Sequence, residues 1–379
     1  MIKAIYIHIP YCALKCHYCD FLSFGCEDEA HMNRYIDYLC REITLAKEQY
    51  SLAEADTVYL GGGTPSILPA KALQKLLHTI EREILAKGKI AEYTFEANPE
   101  SLNAEKIALL AHLGVNRLSL GVQSTADEFL KLLGRRHNFK QVQEAVQTLR
   151  QEGFGNINLD LMYALPQQSL KQWQETLKTA LELAPEHLSA YQLQIEEGTY
   201  LAKLQREGKI AAVDDDLAAE MLAFSSEYLP KQGYDRYELS NYAKEGYASK
   251  HNRHYWHLDD YLGLGLGATS LVDGEHLLRP REISAYYQAL DEGRLPNGNK
   301  EILSLYEQME EYILMNLRLK EGIALNDFAE RFGCSFKQTY AQAITKTIGL
   351  GLSEIDEQYF RLTEKGKFLA SIVMLEFLD

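Results

Sequence analysis

The sequence lacks any apolar run that approaches the ~20 residues that a membrane-spanning helix needs. Its first residues also lack the charged segment, apolar core and cleavage site that together make an export signal. We therefore expect a cytoplasmic protein without a transmembrane segment, and we leave open a peripheral contact with a membrane surface.

Positive charge is also scarce. The 379 residues include 39 Lys and Arg against 54 Asp and Glu, so the formal net charge is −15. Proteins that bind nucleic acid carry clustered Lys and Arg, and this balance argues against nucleic acid as the main partner.

The length exceeds one ordinary hydrophobic core, which favours one large domain and a smaller one.

Cysteine is rare as well, with six residues, but three of them stand close together near the start of the chain. The spacing is Cys12-x3-Cys16-x2-Cys19, and it follows a short apolar run, 4–9, that predicts a β-strand. Thiolates are soft ligands that favour zinc or an iron–sulfur cluster. A structural zinc ion takes four ligands, usually in two pairs, whereas a 4Fe-4S cluster on three cysteines leaves one iron open. The triad therefore favours the cluster.

The other cysteines, Cys26, Cys40 and Cys334, show no metal-binding pattern. Cys40 shares a predicted helical face with Ile36 and Ile43, so we expect it in the core. Six cysteines, three of them in a metal-type cluster, fit a reducing cytosol.

Predicted strands and helices alternate over the first two hundred residues. The predicted strands are 4–9, 57–60, 93–95, 117–120, 157–161 and 187–193. Strands separated by helices run parallel, which predicts an α/β barrel or an open α/β sheet. Polar residues or glycines recur at the carboxyl end of each strand, the rim where α/β barrels carry their chemistry. These residues are His8, Gly62, Glu96, Gln123, Asp160 and Gln194.

The pattern changes after residue 230. Gly263 to Gly267 superficially match a dinucleotide-binding fingerprint, but no strand–turn–helix unit surrounds them. We expect a glycine-rich loop that closes over the site instead. Residues 296–379 predict helices, a short hairpin and a final helix, the order of a winged helix, with a docking or covering role. The predicted division is 1–230, 231–295 and 296–379.

The cysteine spacing, with the aromatic Tyr18 before the last cysteine, resembles the motif of the radical S-adenosylmethionine (SAM) superfamily. The resemblance implies a partial (β/α)6 barrel with a C-terminal, mainly helical, winged-helix-like domain. It also implies a 4Fe-4S cluster on Cys12, Cys16 and Cys19, with SAM on the open iron.

Residues 1–290, and more loosely the rest, resemble the coproporphyrinogen III oxidase-like family within that superfamily. The resemblance implies that Gly62, Gly63 and Thr64 hold the methionine end of SAM. Glu96 would accept from its amino group and Arg135 would clamp its carboxylate. The remaining implied contacts are ribose hydroxyls for Gln123 and Asp160, and the adenine and cluster surroundings for Tyr6 and Tyr18.

Two differences favour the heme chaperone branch of this family. The oxidase carries a further cysteine two residues beyond the third, and Phe21 stands there in this chain. Residues 251–256 match the HNRxYW motif of the chaperone branch. A neutral imidazole ligates heme iron, so His251 is the first choice of ligand and His254 the second. Tyr255 and Trp256 would stack on the porphyrin, and Asn252 or Arg253 would bind a propionate.

The resemblance therefore implies a carrier that binds heme and hands it to an unidentified acceptor protein, with cluster and SAM gating transfer or dimerisation. It implies an electron donor such as a flavodoxin or ferredoxin, and leaves a homodimer open. The alternative is an enzyme, a radical SAM oxygen-independent coproporphyrinogen III oxidase. A radical methyltransferase and a heme-opening enzyme are weaker alternatives. Covalent attachment of heme and cleavage of SAM are also left open.

Overall fold

The computed structural model describes residues 1–25, 28–85, 90–211 and 214–378. Cys26, which we predict to be uninvolved in metal binding, lies outside the described residues. The strands, numbered in chain order, are β1 (Ala4–Ile9), β2 (Tyr11–Cys12), β3 (Phe24–Gly25), β4 (Thr57–Gly62), β5 (Glu92–Ala97), β6 (Arg117–Gln123), β7 (Ile157–Tyr163), β8 (His187–Gln192), β9 (Asp235–Arg236), β10 (Asn241–Ala243), β11 (Tyr261–Leu264), β12 (Thr269–Val272), β13 (Glu275–Leu278), β14 (Lys300–Glu301), β15 (Ile323–Ala324), β16 (Ser353–Ile355) and β17 (Tyr359–Leu362).

The helices are likewise numbered in chain order. They are α1 (Glu29–Gln49), α2 (Ala70–Glu83), α3 (Ala104–His112), α4 (Asp127–Leu132), α5 (Phe139–Gln151), α6 (Leu170–Leu181), α7 (Tyr200–Arg206), α8 (Asp215–Lys231), α9 (Lys250–Trp256), α10 (Ile283–Asp291), α11 (Leu305–Asn316), α12 (Leu325–Phe332), α13 (Phe336–Thr339), α14 (Ala341–Gly349), α15 (Glu364–Phe368) and α16 (Ala370–Leu375).

Six parallel strands, β1 and β4 to β8, form the centre of a twelve-stranded sheet. Each of these strands carries buried apolar residues, such as Ile5, Leu60 and Leu159, and the long helices turn apolar stripes towards them. In α2, for example, Leu73, Leu76 and Ile80 recur at helical spacing and are fully buried. The predicted partial (β/α)6 barrel is therefore confirmed.

The barrel stays open because both of its edge strands pair with other strands. β11 runs parallel to β1, and β10 runs antiparallel to β8. β12, β13 and β14 continue the sheet beyond β11, and β9 continues it beyond β10. Residues from the predicted middle segment thus extend the barrel sheet at both edges. The division into three parts itself stays a prediction.

The glycine-rich segment differs from our expectation of a loop over the site. Its first half is β11, and its glycines allow close approach between backbones. A Cβ at Gly263 would lie 2.0 Å from the Thr269 carbonyl oxygen, and one at Gly265 would lie 2.6 Å from the His8 carbonyl oxygen. Glycine is therefore required here for packing of the sheet.

The C-terminal domain follows the winged-helix order that the sequence predicts. After α11 come β15, then α12 to α14, then the hairpin of β16 and β17, which joins β15 in a three-stranded sheet. A separate core of aromatic rings holds this domain together, with Phe328, Phe336, Phe360 and Phe377 almost fully buried. In the part of the chain that the structure describes, no helix is both long and apolar enough to cross a bilayer.

Candidate functional site

A cavity opens at the carboxyl ends of the parallel strands, and we call it the cysteine cavity. Because these ends meet at one edge of a parallel sheet, residues far apart in the chain line it together. The lining includes Cys12, Cys16 and Cys19 with most of the predicted SAM contacts: Tyr18, Gly62, Gly63, Thr64, Glu96, Gln123, Arg135 and Asp160. Tyr6 does not line the cavity. Its hydroxyl lies 2.9 Å from Nδ1 of His8, behind the rim.

The three thiols fit a cluster in their chemistry. Cys12 is buried beside the Thr64 hydroxyl, which points at its sulfur at 3.6 Å, and Nη1 of Arg135 lies 3.3 Å from the sulfur of Cys16. Burial raises the pKa of the Cys12 and Cys19 thiols, and the neighbouring Cys16 adds to the rise. Three adjacent thiolates therefore need a compensating positive centre, which iron supplies.

Among the described residues, no three Cys, His, Asp or Glu side chains converge as they would on a single metal ion. A four-iron cube offers a separate iron to each thiolate, so its ligands need not meet at one point. The three thiols are therefore compatible with a cluster.

The glycine turn after β4 brings backbone close to the cysteine loop. A Cβ at Gly63 would lie 2.5 Å from the carbonyl oxygen of Tyr11, so only glycine fits. The Gly62 amide donates to Oε2 of Glu96 at 3.1 Å, and the Tyr59 hydroxyl donates to Oε1 at 2.6 Å. Burial raises the pKa of Glu96 to about 7, against these two hydrogen bonds. A cationic or amino donor from a ligand would favour the ionised form.

Arg135 crosses the cavity from the turn after α4. Its guanidinium donates to the Asn98 side chain at 2.7 Å and to the Gly121 carbonyl oxygen. Its buried Nε has no hydrogen-bond partner in the described part of the chain. An unpaired buried donor costs free energy, and a ligand carboxylate would satisfy this one.

Seven lining residues went unnamed as contacts in the sequence analysis, namely Lys15, Phe21, Ala97, Asn98, Ser119, Gly121 and Tyr191. The Tyr191 hydroxyl donates to the Gln123 side chain at 2.8 Å, and the Ser119 hydroxyl donates to Asp160 at 3.1 Å. Asn98, Gly121 and Tyr191 lie at or near the carboxyl ends of β5, β6 and β8, so strand position was the signal that could have identified them, whereas Ser119 lies further back in β6.

The predicted heme motif lies elsewhere. It forms the short helix α9, which we call the motif helix, and α9 packs beneath the amino-terminal ends of β4 and β5. Glu92, the first residue of β5, accepts from the Ser249 hydroxyl and from the amides of Lys250 and His251. The cysteine cavity and the motif helix therefore occupy opposite ends of the barrel.

His251 points inward from the motif helix and is buried, with 1% of its surface exposed. Its Nδ1 lies 2.8 Å from the Thr57 hydroxyl and its Nε2 lies 2.9 Å from the Tyr255 hydroxyl. Its ring stacks on Tyr59 with centroids 5.0 Å apart. Burial holds the pKa of His251 well below its ordinary value, so the ring is neutral. Iron ligation by His251 would require one of its two hydrogen bonds to open.

The outer face of the motif helix contacts the C-terminal domain. Arg253 pairs with Glu321, and the Arg318 guanidinium lies 4.4 Å from the centre of the Trp256 ring. Nδ1 of His254 donates to the Asp259 carboxylate at 2.7 Å. Asn252, at the start of the helix, is half-buried, and its amide donates to Ser249. The structure thus brings the motif residues onto one short helix, but it separates them from the predicted SAM contacts in the cysteine cavity.

Comparison with known proteins places the whole chain among close relatives. It is 36% identical to the heme chaperone HemW of Lactococcus lactis, over 99% of this chain and 97% of that protein. It is 35% identical to HemW of Bacillus subtilis over 99% of both, and 34% identical to HemW of Escherichia coli over 98% and 97%.

The fold comparison agrees with the sequence comparison. The structure of coproporphyrinogen III oxidase (HemN) from E. coli, a radical SAM enzyme, superposes with a TM-score of 0.86, over 99% of this chain and 90% of that one, at 22% identity. The radical SAM superfamily model matches residues 6–180, and the model of the HemN C-terminal domain matches residues 303–369. The chain therefore belongs to the HemW family of the radical SAM superfamily.

Proposed function

We propose that this protein binds heme and transfers it to an acceptor protein, and that it carries a 4Fe-4S cluster and SAM. The observation that carries the proposal is the similarity to several proteins named heme chaperones, at 34–36% identity over 98–99% of this chain. Phe21, which stands where the oxidase has its further cysteine, argues in the same direction.

The cluster would sit on Cys12, Cys16 and Cys19, with SAM in the rest of the cysteine cavity. Together such groups supply one-electron chemistry. The contribution of this chain is to bind and orient: Glu96 would hold an amino group, Arg135 a carboxylate, and Asp160 with Gln123 the ribose hydroxyls. Tyr18 and Tyr191 would close the cavity against water.

The heme would bind at the motif helix. His251 is the proposed iron ligand, because its pKa keeps it neutral, and a neutral imidazole is the ligating form. Tyr255 competes for its Nε2, so ligation exchanges this hydrogen bond for iron. Arg253 would exchange Glu321 for a heme propionate.

Titration of heme into the purified protein tests the proposal through the Soret band. His251→Ala should weaken heme binding at least tenfold, whereas His257→Ala, a neighbouring histidine outside the motif, should leave it unchanged. Tyr255→Phe should strengthen binding about two- to tenfold, since it removes one competing hydrogen bond. Tyr261→Phe, a ring in contact with Tyr255 at 4.7 Å, is its matched control.

Three outcomes count against the proposal. Absence of heme binding removes the carrier function, and equal binding by His251→Ala removes the motif as its site. Anaerobic turnover of coproporphyrinogen III with loss of propionate carboxyl groups would favour the oxidase instead. Transfer is checked by mixing heme-loaded protein with apo-proteins that normally contain heme.

A further inference from the structure

A line of buried polar side chains crosses the barrel between the cysteine cavity and the motif helix. Two of its members come from β7 and one from β8, and the other two lie between β9 and the motif helix. From cavity to helix they are Asp160, Asn158, His187, Tyr237 and Ser249. Asn158, His187 and Ser249 are at most 2% exposed.

Consecutive members lie at hydrogen-bond distance. Asn158 donates to Asp160 at 2.8 Å, and its amide oxygen lies 2.6 Å from Nδ1 of His187. Nε2 of His187 lies 2.8 Å from the Tyr237 hydroxyl, which also accepts from the Ser249 amide at 3.3 Å. Ser249 is the residue that caps the motif helix. The line is therefore continuous from a wall of the cavity to the first turn of the helix.

The direction of every bond in the line follows from its two ends. The Asp160 carboxylate only accepts, so Asn158 must turn its amide group towards it and its oxygen towards His187. His187 then carries its proton on Nδ1, and Nε2 accepts from Tyr237. Burial holds the pKa of His187 well below its ordinary value, which agrees with one proton on the ring. The backbone amide of Ser249 donates to Tyr237 at the other end. Every hydrogen bond in the line therefore donates in the same direction, from Ser249 towards Asp160.

We propose that this line couples the cysteine cavity to the motif helix, with His187 and Tyr237 as positioning residues. It rests on the proposed function, since it assumes SAM at Asp160 and heme at the motif helix. A ligand hydroxyl that hydrogen-bonds Asp160 competes with Asn158 and shifts the bonds behind it. Asn158 also lies within hydrogen-bond distance of the Ser119 and Ser189 hydroxyls, but the His187 ring bonds only Asn158 and Tyr237 among the described residues. A shift at Asn158 would therefore pass through His187 and Tyr237 to the Ser249 amide. Linkage is reciprocal, so heme at the helix changes SAM affinity by the same factor as SAM changes heme affinity.

Hydrogen–deuterium exchange tests the coupling without heme. The anaerobically reconstituted protein is compared with and without SAM, and the peptide that covers residues 249–256 is followed. SAM should change the exchange rate of this peptide at least threefold in the wild type. Tyr237→Phe, which removes the bridging hydroxyl and keeps the ring, should cut the change by more than half.

Tyr234→Phe is the matched control. Tyr234 is also buried, three positions earlier, but its hydroxyl donates to the carbonyl oxygen of Pro185 outside the line. It should respond to SAM as the wild type does. The coupling is overturned if bound SAM leaves the exchange rate of the wild-type peptide unchanged. It is also overturned if SAM changes this rate in Tyr237→Phe as much as in the wild type.

Two further measurements separate the causes of failure. Equilibrium dialysis of SAM shows whether the cofactor binds, and absence of binding removes the SAM part of the proposed function together with the coupling. Absence of heme binding leaves the exchange result standing. The nitrogen chemical shifts of His187 report its tautomer in the unmodified protein, and a proton on Nε2 would contradict the direction of the line.

Discussion

At the scale of single residues, Glu96 is a carboxyl of the cysteine cavity whose pKa is strongly raised. Its carboxyl lies between the Tyr59 hydroxyl and the Gly62 amide. Burial, with Asp160 as a smaller contribution, still raises its pKa to about 7. The group therefore changes charge near neutral pH, and an amino group of a ligand would bind only its ionised form well.

Glu96→Gln should weaken SAM binding about tenfold at a pH near 8, because it removes a charge-assisted hydrogen bond. The loss should be smaller at a pH near 6, where the wild-type carboxyl, with its raised pKa, is mostly protonated already. Titrations of SAM at both pH values measure the two ratios. Because other pH effects cancel in each ratio, an equal loss at both values would count against this role of Glu96.

The cysteines give a second prediction at this scale. Replacement of Cys12, Cys16 or Cys19 by alanine should abolish iron loading and the brown colour of the reconstituted protein, since each would remove one of three ligands. Iron and sulfide analysis measures the loss. Cys40→Ala and Cys334→Ala are the controls, because both residues pack in cores away from the cavity. Iron retained by any of the first three variants would contradict the site.

At the scale of elements, the motif helix depends on one carboxylate. Glu92 accepts three hydrogen bonds from the first turn, two of them from backbone amides. A helix of seven residues is too short to be stable alone. Its position is therefore set by this cap and by the contacts of His251 inside the barrel.

Glu92→Gln should lower the free energy of unfolding by about 2 kcal/mol, since the cap is buried and loses its charge. Denaturant unfolding measures the change, and exchange of the motif-helix amides should accelerate. Glu105→Gln, in the exposed first turn of α3, should cost much less. Similar losses for both variants would mean that the buried cap is not special.

At the scale of the whole molecule, the C-terminal domain covers the motif helix. The aromatic core of this domain also includes Leu258 and Leu271, which precede the domain in the chain. The Arg318 guanidinium stacks on Trp256, Glu321 pairs with Arg253, and Arg331 lies 3.4 Å from the Leu258 carbonyl oxygen. The covering role that the sequence suggested for this domain fits these contacts, and they involve the motif helix rather than the cysteine cavity.

Phe328→Ala should therefore affect heme and iron differently. It opens a cavity in the C-terminal core and should cost about 3–5 kcal/mol. Heme uptake should fall while iron content is retained, as measured by the Soret band and by iron analysis. Phe129→Ala, in the small core that packs against Tyr18, should do the reverse and reduce iron retention. Loss of both iron and heme in Phe328→Ala would show that the C-terminal core does not affect the motif helix independently of the cysteine cavity.

Some of this was accessible from the sequence. The cysteine spacing is local, and the alternation of strands and helices is a local pattern. Since parallel strands end at one edge, that pattern also predicted that Gly62, Glu96, Gln123 and Asp160 would lie together, and they line one cavity. The winged-helix order of the last segment was read correctly for the same reason, because caps, periodicity and turns are encoded nearby.

Other features required the tertiary structure. The sequence showed an aromatic, histidine-rich motif but not its burial, because the pairing of β1 with β11 and the capping of α9 by Glu92 join residues that are far apart in the chain. The same holds for Tyr6 behind the rim and for the line from Asp160 to Ser249. Short-range spacing thus determined the predicted ligand set and the alternation of strands and helices along the chain. Long-range packing alone decided which end of the barrel each motif occupies, since no local pattern specifies which distant strand becomes a neighbour.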